Sequence, residues 1–474
     1  MIPVETAEEQ EIVNRVFAAN QGHVFRFWNE LTGESRKRLL DQLNAFDFKQ
    51  IAELTNRYIG SKTSNPLKRQ LEPVRIIPPI SAASDRKRFE QIRKLGEKAI
   101  MDNNVAALVV AGGQGTRLGF DGPKGMFPAG CVTGKSLFQL FAERINATEK
   151  KYNSTIPWYI LTSQQNDAET RAFFKDNQYF NLNPAHIRFF RQGVMPGLTP
   201  YGKLILDAKD HISVNPDGHG GSLLALRKSG ALADCRNRGI KWLFYFQIDN
   251  VLVKICDPLF LGYHIQRDAE MSVKVVTKRD PYEKVGVIGV VDGKVKVIEY
   301  SDLSVEEMEA CNPNGRLKYN GGNIALHIIN VDFIESLVSD GVKLPFHKAF
   351  KKIPTIDDAG NPVESEDSNG YKFEMFIFDA LPAAREVVVM EVLREEEFSP
   401  IKNATGFDSP ETARQDMSNF YGQWLEQAGY NVPRDQNGNV TINIEISPML
   451  ALEADELPAR LPANLDLTSD LYLE

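Results

Sequence analysis

The residues best able to do chemistry lie in one short run. Leu108, Val109 and Val110 lead through Ala111 into Gly112, Gly113, Gln114, Gly115, Thr116, Arg117, Leu118 and Gly119, and Pro123, Lys124 and Gly125 close the segment. An apolar run that ends directly in glycines predicts a buried strand whose backbone turns tightly and aims its N–H groups at an anion. Arg117 and Lys124 add fixed positive charge suited to a triphosphate. A bare glycine cluster reads first as a turn with no ligand; strand, glycines, Arg and Lys in this order argue against that reading.

Two other phosphate-binding patterns are weaker. The dinucleotide fingerprint G-x-G-x-x-G fails, because Gly113 and Gly115 are followed by Gly119, one residue too late. Residues 129–136 fit a relaxed P-loop that ends in Gly134, Lys135 and Ser136, which would suit a kinase. Pro123 and Pro128 leave no strand to enter it, and Ala129 stands where its first glycine belongs. This segment is expected to be a turn opening a helix at Leu137. Asp249, in the run Phe246-Gln247-Ile248-Asp249-Asn250, is a carboxylate at the C-terminal end of an apolar strand, where α/β sheets bind ligands. No Ser-His-Asp arrangement and no H-E-x-x-H motif is visible.

The elements that must position these groups alternate. Residues 105–111, 159–162, 187–190 and 242–248 read as buried strands, with helices over 137–147, 168–176 and 223–237 between them. This pattern predicts an α/β fold with a mostly parallel sheet covered by helices. Residues 285–291 and 294–300 read as a hairpin turning at Asp292-Gly293. Before the sheet, residues 1 to about 100 read as helical: Leu39, Leu40, Leu43, Phe46, Ile51 and Leu54 mark two short helices. Pro78-Pro79 excludes a helix there, and Ser84 or Asp85 is expected to cap a helix carrying Phe89, Ile92, Leu95 and Ile100. From about Leu393 the chain turns charged, with one more strand signal over 440–446.

The bulk numbers narrow the class. The chain has 474 residues, enough for two or three domains. It is 42% hydrophobic and 25% charged, as a globular protein is. A net charge of −8 disfavours a nucleic-acid binder. Cys131, Cys235, Cys256 and Cys311 form no C-x-x-C pair, which suits a reducing compartment. The acidic start (Glu5, Glu8, Glu9) is unlike a signal peptide, and no apolar stretch approaches the length of a membrane span. A cytoplasmic protein without membrane or nucleic-acid partners is expected.

The glycine loop resembles the signature of the eukaryotic-type UDP-sugar pyrophosphorylases, specifically the UDP-N-acetylglucosamine pyrophosphorylase branch. The likeness runs from Val105 to about Asn403, and the helical N-terminal part fits too. It implies a Rossmann-like nucleotidyltransferase domain over 101–392, with a helical N-terminal region (1–100) and a small α+β C-terminal domain (393–474). It also implies transfer of a uridylyl group from UTP to a sugar 1-phosphate with release of pyrophosphate. The nucleophile is then a phosphate that is mostly ionised at neutral pH, so the reaction needs alignment and charge neutralisation rather than a general base.

By the same resemblance Ala111, Gly112, Gly113, Gln114, Gly115, Thr116 and Lys124 bind UTP, with Arg117, Lys124 and Lys402 as catalytic groups. Gln192, in Phe189-Phe190-Arg191-Gln192-Gly193, reads the uracil edge, since an amide donates and accepts at once. Gly218, in Pro216-Asp217-Gly218-His219-Gly220-Gly221, lies against the base, and Lys372 meets the UTP phosphates. Glu299, Tyr300 and Asn323 contact the sugar, and Lys402 its phosphate. Asp249 holds Mg²⁺, with Mn²⁺ as an alternative. Monomer or weak homo-oligomer is expected.

One residue departs from the pattern. The acetylhexosamine enzymes usually carry Asn where this chain has His219, close to the sugar, and a Gly-His-Gly triplet is similar to the UDP-glucose branch. Glu299-Tyr300-Ser301 and the glycine loop look like the acetylhexosamine branch. UDP-N-acetylglucosamine synthesis is therefore expected first. A UDP-glucose or broad-specificity enzyme is the alternative, and a non-catalytic nucleotidyltransferase-like binding subunit the alternative of another class. His219 is expected to influence the sugar through its bulk and its capacity for charge.

Overall fold

The strands that carry the glycine loop and Asp249 lie side by side in a ten-stranded sheet. The computed structural model describes residues 2–59, 70–79, 86–339, 341, 343–462 and 464–474. The chain forms two compact units: a smaller one of residues 1–69, 193–221 and 344–377, and a larger one of residues 70–192, 222–343 and 378–474.

In the larger unit the sheet strands are β1 (Leu71–Pro73), β2 (Val105–Val110), β3 (Trp158–Thr162), β4 (Ile187–Arg191), β5 (Trp242–Gln247), β6 (Met271–Thr277), β7 (Val287–Val291), β8 (Lys294–Ile298), β9 (Gly321–Asn330) and β10 (Val387–Glu391). β5, β2, β3 and β4 form a parallel block, as the alternating sequence pattern requires. The near-continuous apolar runs of β2, β3 and β5 are buried, as in parallel strands covered on both faces, whereas β4 at the edge is mostly half-buried. β9 then adds antiparallel to β5, β6 and β7, β8 folds back on β7, and β1 joins β7 at the far edge. β10 runs parallel to β6.

The register decides the site. Val110 lies beside Gln247 and beside Leu161, and Thr162 beside Arg191. The residues that follow these strands therefore leave the sheet at one edge.

Local sequence explains most helix ends. Ser136 caps the helix Leu137–Tyr152 by accepting from the Gln139 N–H, and Asn153 ends it in the left-handed region. The single helix expected over 223–237 is two, Ser222–Lys228 and Ala231–Asn237, because Gly230 sits at φ +76° between them. The β7–β8 turn is a two-residue turn with Asp292 at φ 50° and Gly293 at φ 75°, as Asp-Gly favours. The C-terminal strand is shorter than the apolar run suggested, Ile444–Ile446, and pairs in parallel with Leu471–Leu473.

The helix Arg86–Met101 packs on Pro258–Gln266 so closely that a Cβ on Gly96 would sit 1.9 Å from the Pro258 carbonyl. Leu95 lies off this face and is 40% exposed, unlike Ile92 and Ile100. The expected caps Ser84 and Asp85 fall outside the described residues.

In the smaller unit, the helices Ala7–Ala18, Gly33–Ala45 and Phe48–Leu54 bury Val13, Val16, Leu39, Leu40, Leu43 and Ile51 against Leu198, Leu204, Ile212 and Phe373. Phe46 is buried between the second and third of these helices rather than on either face. The other strands of this unit are short antiparallel pairs, among them Val194–Pro196 with Val214–Pro216 and His347–Lys351 with Gly370–Glu374.

Candidate active site

At the C-terminal edge of the parallel block the glycine loop leaves β2 and closes on itself. Gly115 N–H donates to the Gly122 carbonyl at 2.9 Å, and Lys124 N–H to the Gly113 carbonyl at 3.1 Å. Gly119 (φ 69°) makes the turn between them. Among the described residues the amides of Gly112, Gly113 and Gln114 donate to nothing in the protein. The side-chain oxygens of Gln114 and Ser163 are buried there without a partner. Unspent donors and orphaned polar atoms at a strand end suit a polar ligand. Thr116 and Arg117 are exposed, and Ala111 is buried at the root of the loop.

Gln192 follows β4 and lies directly over the loop. A Cβ on Gly112 would stand 2.3 Å from the Gln192 Oε1, so this glycine is what lets the amide lie there. Asp249 follows β5 at the same edge. Its Oδ2 is 3.7 Å from the Lys124 Nζ, and both side chains are mostly buried, at 14% and 16% exposure. Burial, with the charges of Lys402 and Arg117, holds the Lys124 ammonium below its ordinary pKa against the pull of Asp249. Lys402 is exposed, 5.5 Å from the Phe398 ring and 3.9 Å from Asp408 Oδ2. Three cations and one carboxylate thus converge beside the glycine loop.

Glu299 and Tyr300 follow β8 in the same unit. Glu299 Oε1 lies near Gly286, and Tyr300 is 39% exposed. Asn323, in β9, donates its backbone N–H to the Gly286 carbonyl at 2.8 Å. Glu299 and Asn323 thus meet at Gly286, with Tyr300 next in sequence to Glu299.

The smaller unit carries the remaining candidates. Gly218 adopts φ +83°, and a Cβ there would lie 2.4 Å from the Met375 carbonyl, so the position requires glycine twice over. Lys372 sits in the strand Gly370–Glu374, opposite Ala349. His219 stacks on Phe376 with ring centroids 5.2 Å apart, and His347 stacks on the same ring at 4.3 Å. Burial, reinforced by His347, lowers the His219 pKa to about 4. The expectation that His219 acts through charge is therefore corrected: the ring is neutral at pH 7. Its Nδ1 accepts the Ile377 N–H at 3.2 Å, so the ring proton resides on Nε2, which becomes a donor.

Two asparagines that sequence reasoning passed over hold the large-unit site together. Asn166 is fully buried; its Oδ1 accepts the Ser163 N–H at 2.8 Å and its Nδ2 donates to the Ala111 carbonyl at 2.9 Å. Asn250, 2% exposed, donates to the Glu397 carbonyl at 2.7 Å and accepts the Ser399 N–H at 3.0 Å. Ile401 N–H then reaches the Asp249 carbonyl at 2.9 Å, bringing Lys402 next to Asp249. Asn250 adjoins Asp249 in sequence, but only burial distinguishes it from any polar strand-end residue.

The P-loop-like segment is spoken for. The Val132 and Thr133 amides donate to the Glu445 carboxylate at 2.8 and 2.9 Å, and Lys135 is held by Glu143 and the Tyr472 hydroxyl. A side-chain carboxylate fills the nest that a nucleotide phosphate would need, which leaves the turn-and-cap role expected of it.

Among the described residues no three acidic, His or Cys side chains gather into a metal cage. The single carboxylate of Asp249, beside a loop suited to phosphate, fits magnesium, which completes its shell with phosphate oxygens and water. Among the same residues no helix is long and apolar enough to cross a membrane.

A family model described as UTP–glucose-1-phosphate uridylyltransferase matches residues 48–444. The chain is 39% identical over 443 residues to the UDP-N-acetylhexosamine pyrophosphorylase-like protein 1 of Xenopus tropicalis, covering 90% of this chain and 86% of that one. It is 36% identical to the UDP-N-acetylglucosamine pyrophosphorylase of Saccharomyces cerevisiae, covering 93% and 94%. Among solved structures, the uridine diphosphate N-acetylglucosamine pyrophosphorylase of Trypanosoma brucei, in complex with an inhibitor, superposes with a TM-score of 0.85 at 28% identity over 99% of both chains. The UDP-glucose phosphorylase of the same organism, at 18% identity and a TM-score of 0.60, shares the fold. With its glycine loop and strand-end Asp249 inside the matched stretch, the chain belongs to the UTP–glucose-1-phosphate uridylyltransferase family and is a nucleotidyltransferase.

Proposed function

We propose that this chain makes UDP-N-acetylglucosamine and pyrophosphate from UTP and N-acetylglucosamine 1-phosphate. The observation that carries the reading is the convergence of Lys124, Asp249 and Lys402 beside the glycine loop, at the edge where β2, β4 and β5 end. A phosphate oxygen of the sugar 1-phosphate attacks the α-phosphorus of UTP. The new P–O bond forms as the bond to the bridging oxygen breaks, and its electron pair leaves with pyrophosphate.

The amides of residues 111–116 cradle the triphosphate, and Gln192 pairs with the uracil edge while Gly218 lies against the base. Arg117 and Lys124 neutralise charge that builds on the leaving pyrophosphate. Lys372 meets the UTP phosphates and Lys402 orients the phosphate of the incoming sugar. Glu299, Tyr300 and Asn323 line the sugar. Asp249 would hold Mg²⁺, or Mn²⁺, which supplies charge neutralisation to the phosphates.

The names of the relatives support N-acetylglucosamine as the sugar. His219 favours a second reading, synthesis of UDP-glucose, since Gly-His-Gly resembles that branch. The geometry of His219 weighs against it: a neutral ring donating through Nε2–H replaces the donor that an asparagine amide would supply. We place the enzyme in the cytoplasm as a monomer or weak homo-oligomer. We also propose 1–100, 101–392 and 393–474 as its helical, catalytic and C-terminal regions.

The test is pyrophosphate release from UTP and Mg²⁺ with a panel of sugar 1-phosphates, with and without EDTA. Release that is greatest with N-acetylglucosamine 1-phosphate and abolished by EDTA is expected. Preference for glucose 1-phosphate would select the second reading, and no release with any sugar would refute both.

A further inference from the structure

Behind Asp249 and Lys402 lies a buried cluster of charge that the transfer reaction does not use. Lys274, in β6, has no exposed side-chain surface. Its Nζ donates to Asp257 Oδ2 at 2.6 Å and to Glu397 Oε2 at 2.5 Å. The ammonium also lies 5.2 Å from the centre of the Phe260 ring. Lys254 flanks the pair, 3.0 Å from Glu396 and 3.9 Å from Glu397.

The two carboxylates that Lys274 holds belong to the two segments that deliver the reacting groups. Asp257 ends the loop that begins at Asp249, and its Oδ1 caps the helix Pro258–Gln266 by accepting the Leu259 N–H. Glu397 lies five residues before Lys402, and its own carbonyl accepts from Asn250. The Val251 N–H meets the Ser399 carbonyl and the Ile401 N–H the Asp249 carbonyl, so the segments run together as a short ladder. The asparagine and the lysine both tie this ladder at its Glu397 end, the first through the Glu397 carbonyl and the second through its carboxylate.

We propose that Lys274 is a positioning residue: one buried ammonium locks the Asp249 loop to the Lys402 segment and thereby sets the spacing of the two groups that handle phosphate. A buried ion pair contributes little to stability compared with well-packed apolar groups, because its desolvation offsets its attraction. What it does contribute is direction. A tetrahedral ammonium held by two carboxylates from different segments fixes where each backbone lies, and Asp257 remains ionised to do so: burial alone would raise its pKa, but Lys274 and Lys254 together bring it below the ordinary value. Phosphoryl-group chemistry that relies on alignment is sensitive to shifts of about 1 Å, which can cost on the order of 100-fold in rate.

This inference rests on the proposed roles of Asp249 and Lys402, so the experiment separates the two. Lys274→Met/Glu397→Gln removes one charge of each sign and so leaves the net charge of the cluster unchanged. In the full chain it is expected to keep a cooperative melt and a KM for UTP within about twofold of the original, while kcat falls about 10-fold or more. Should the double variant not fold, Asp257→Asn keeps the helix cap through Oδ1 but turns an amide N–H₂ toward Lys274 and so removes that bond; a loss confined to kcat of about threefold or more then supports the proposal. An unchanged kcat in either folded variant overturns it, as does a loss that merely follows the folded fraction. Asp249→Asn and Lys402→Ala are measured alongside. Full turnover in these would refute the proposed roles of the cluster itself, whereas loss in these with none in the Lys274 variants refutes the positioning role alone.

Discussion

Replacing Gly112 by alanine separates the nucleotide-reading role of the loop from its folding. The backbone there is not in the left-handed region, so alanine can adopt it. The new methyl group would lie 2.3 Å from Gln192 Oε1, 3.3 Å from its Cδ and 3.5 Å from the Ser163 Cβ. Only the first contact is impossible, and it is made by the far end of a flexible side chain. The amide must swing away, at a rotamer cost of about 0.5–1.5 kcal/mol, which lowers the melting temperature by at most about 6 °C. On the proposed pairing of Gln192 with uracil, the base edge then loses its amide partner, worth about 1–3 kcal/mol for polar groups left unsatisfied. That predicts a KM for UTP raised about 5- to 150-fold, with kcat much less affected. The assay is pyrophosphate release at saturating sugar 1-phosphate, with thermal melts of each variant. A cycle with Gln192→Ala decides the cause: if Gly112→Ala acts by displacing Gln192, the double variant is no worse than Gln192→Ala alone. Fully additive losses would refute this account, because the methyl group would then be obstructing UTP directly.

Other consequences can be checked with the same assays. Arg117→Ala should lower turnover at least ~100-fold while leaving the melting temperature almost unchanged, since the side chain is exposed; near-normal turnover would make Arg117 structural. His219→Asn should keep a donor at the sugar but lose the stack on Phe376, shifting preference toward acetylhexosamines with UTP affinity intact; a constant preference ratio would show that this residue does not choose the sugar. Because the His219 pKa is lowered to about 4, the ratio of rates with N-acetylglucosamine 1-phosphate and glucose 1-phosphate should stay flat from about pH 6 to 9; a midpoint between pH 6 and 7 would refute a neutral ring. The same depression has a sign for stability. Between about pH 6.5 and 4 the unfolded chain binds a proton that folded His219 does not, so stability falls as pH drops through that window, and replacing the ring by glutamine should flatten the melting temperature there.

The parallel block was legible because β2, β3 and β5 are buried along nearly their whole length and so read as apolar runs. The glycine loop was legible for a related reason: its backbone geometry demands particular residue types in a fixed order. Where two signals overlapped, the reading blurred. Residues 223–237 kept an apolar helical pattern through Gly230, and only its left-handed backbone shows that the helix ends and restarts there. The 440–446 run looked like one strand, yet Val440 only bridges back to Arg434, and the strand itself is Ile444–Ile446, paired with Leu471–Leu473. Asn166 and Asn250 carried no local signal at all, since a buried amide and a solvated one look alike in sequence.

The sequence alone was enough to show that an apolar strand ends in a glycine-rich loop, that cations and a strand-end carboxylate accompany it, and that the P-loop-like turn lacks a strand. These follow from backbone sterics and residue type, which act over a few residues. Tertiary structure alone decided that Gln192, Lys124, Asp249 and Lys402 gather around that loop, because gathering depends on strand register and on buried bonds between segments up to about 150 residues apart. It also decided that His219 is neutral, since a pKa is set by what surrounds a ring and not by its neighbours in the chain.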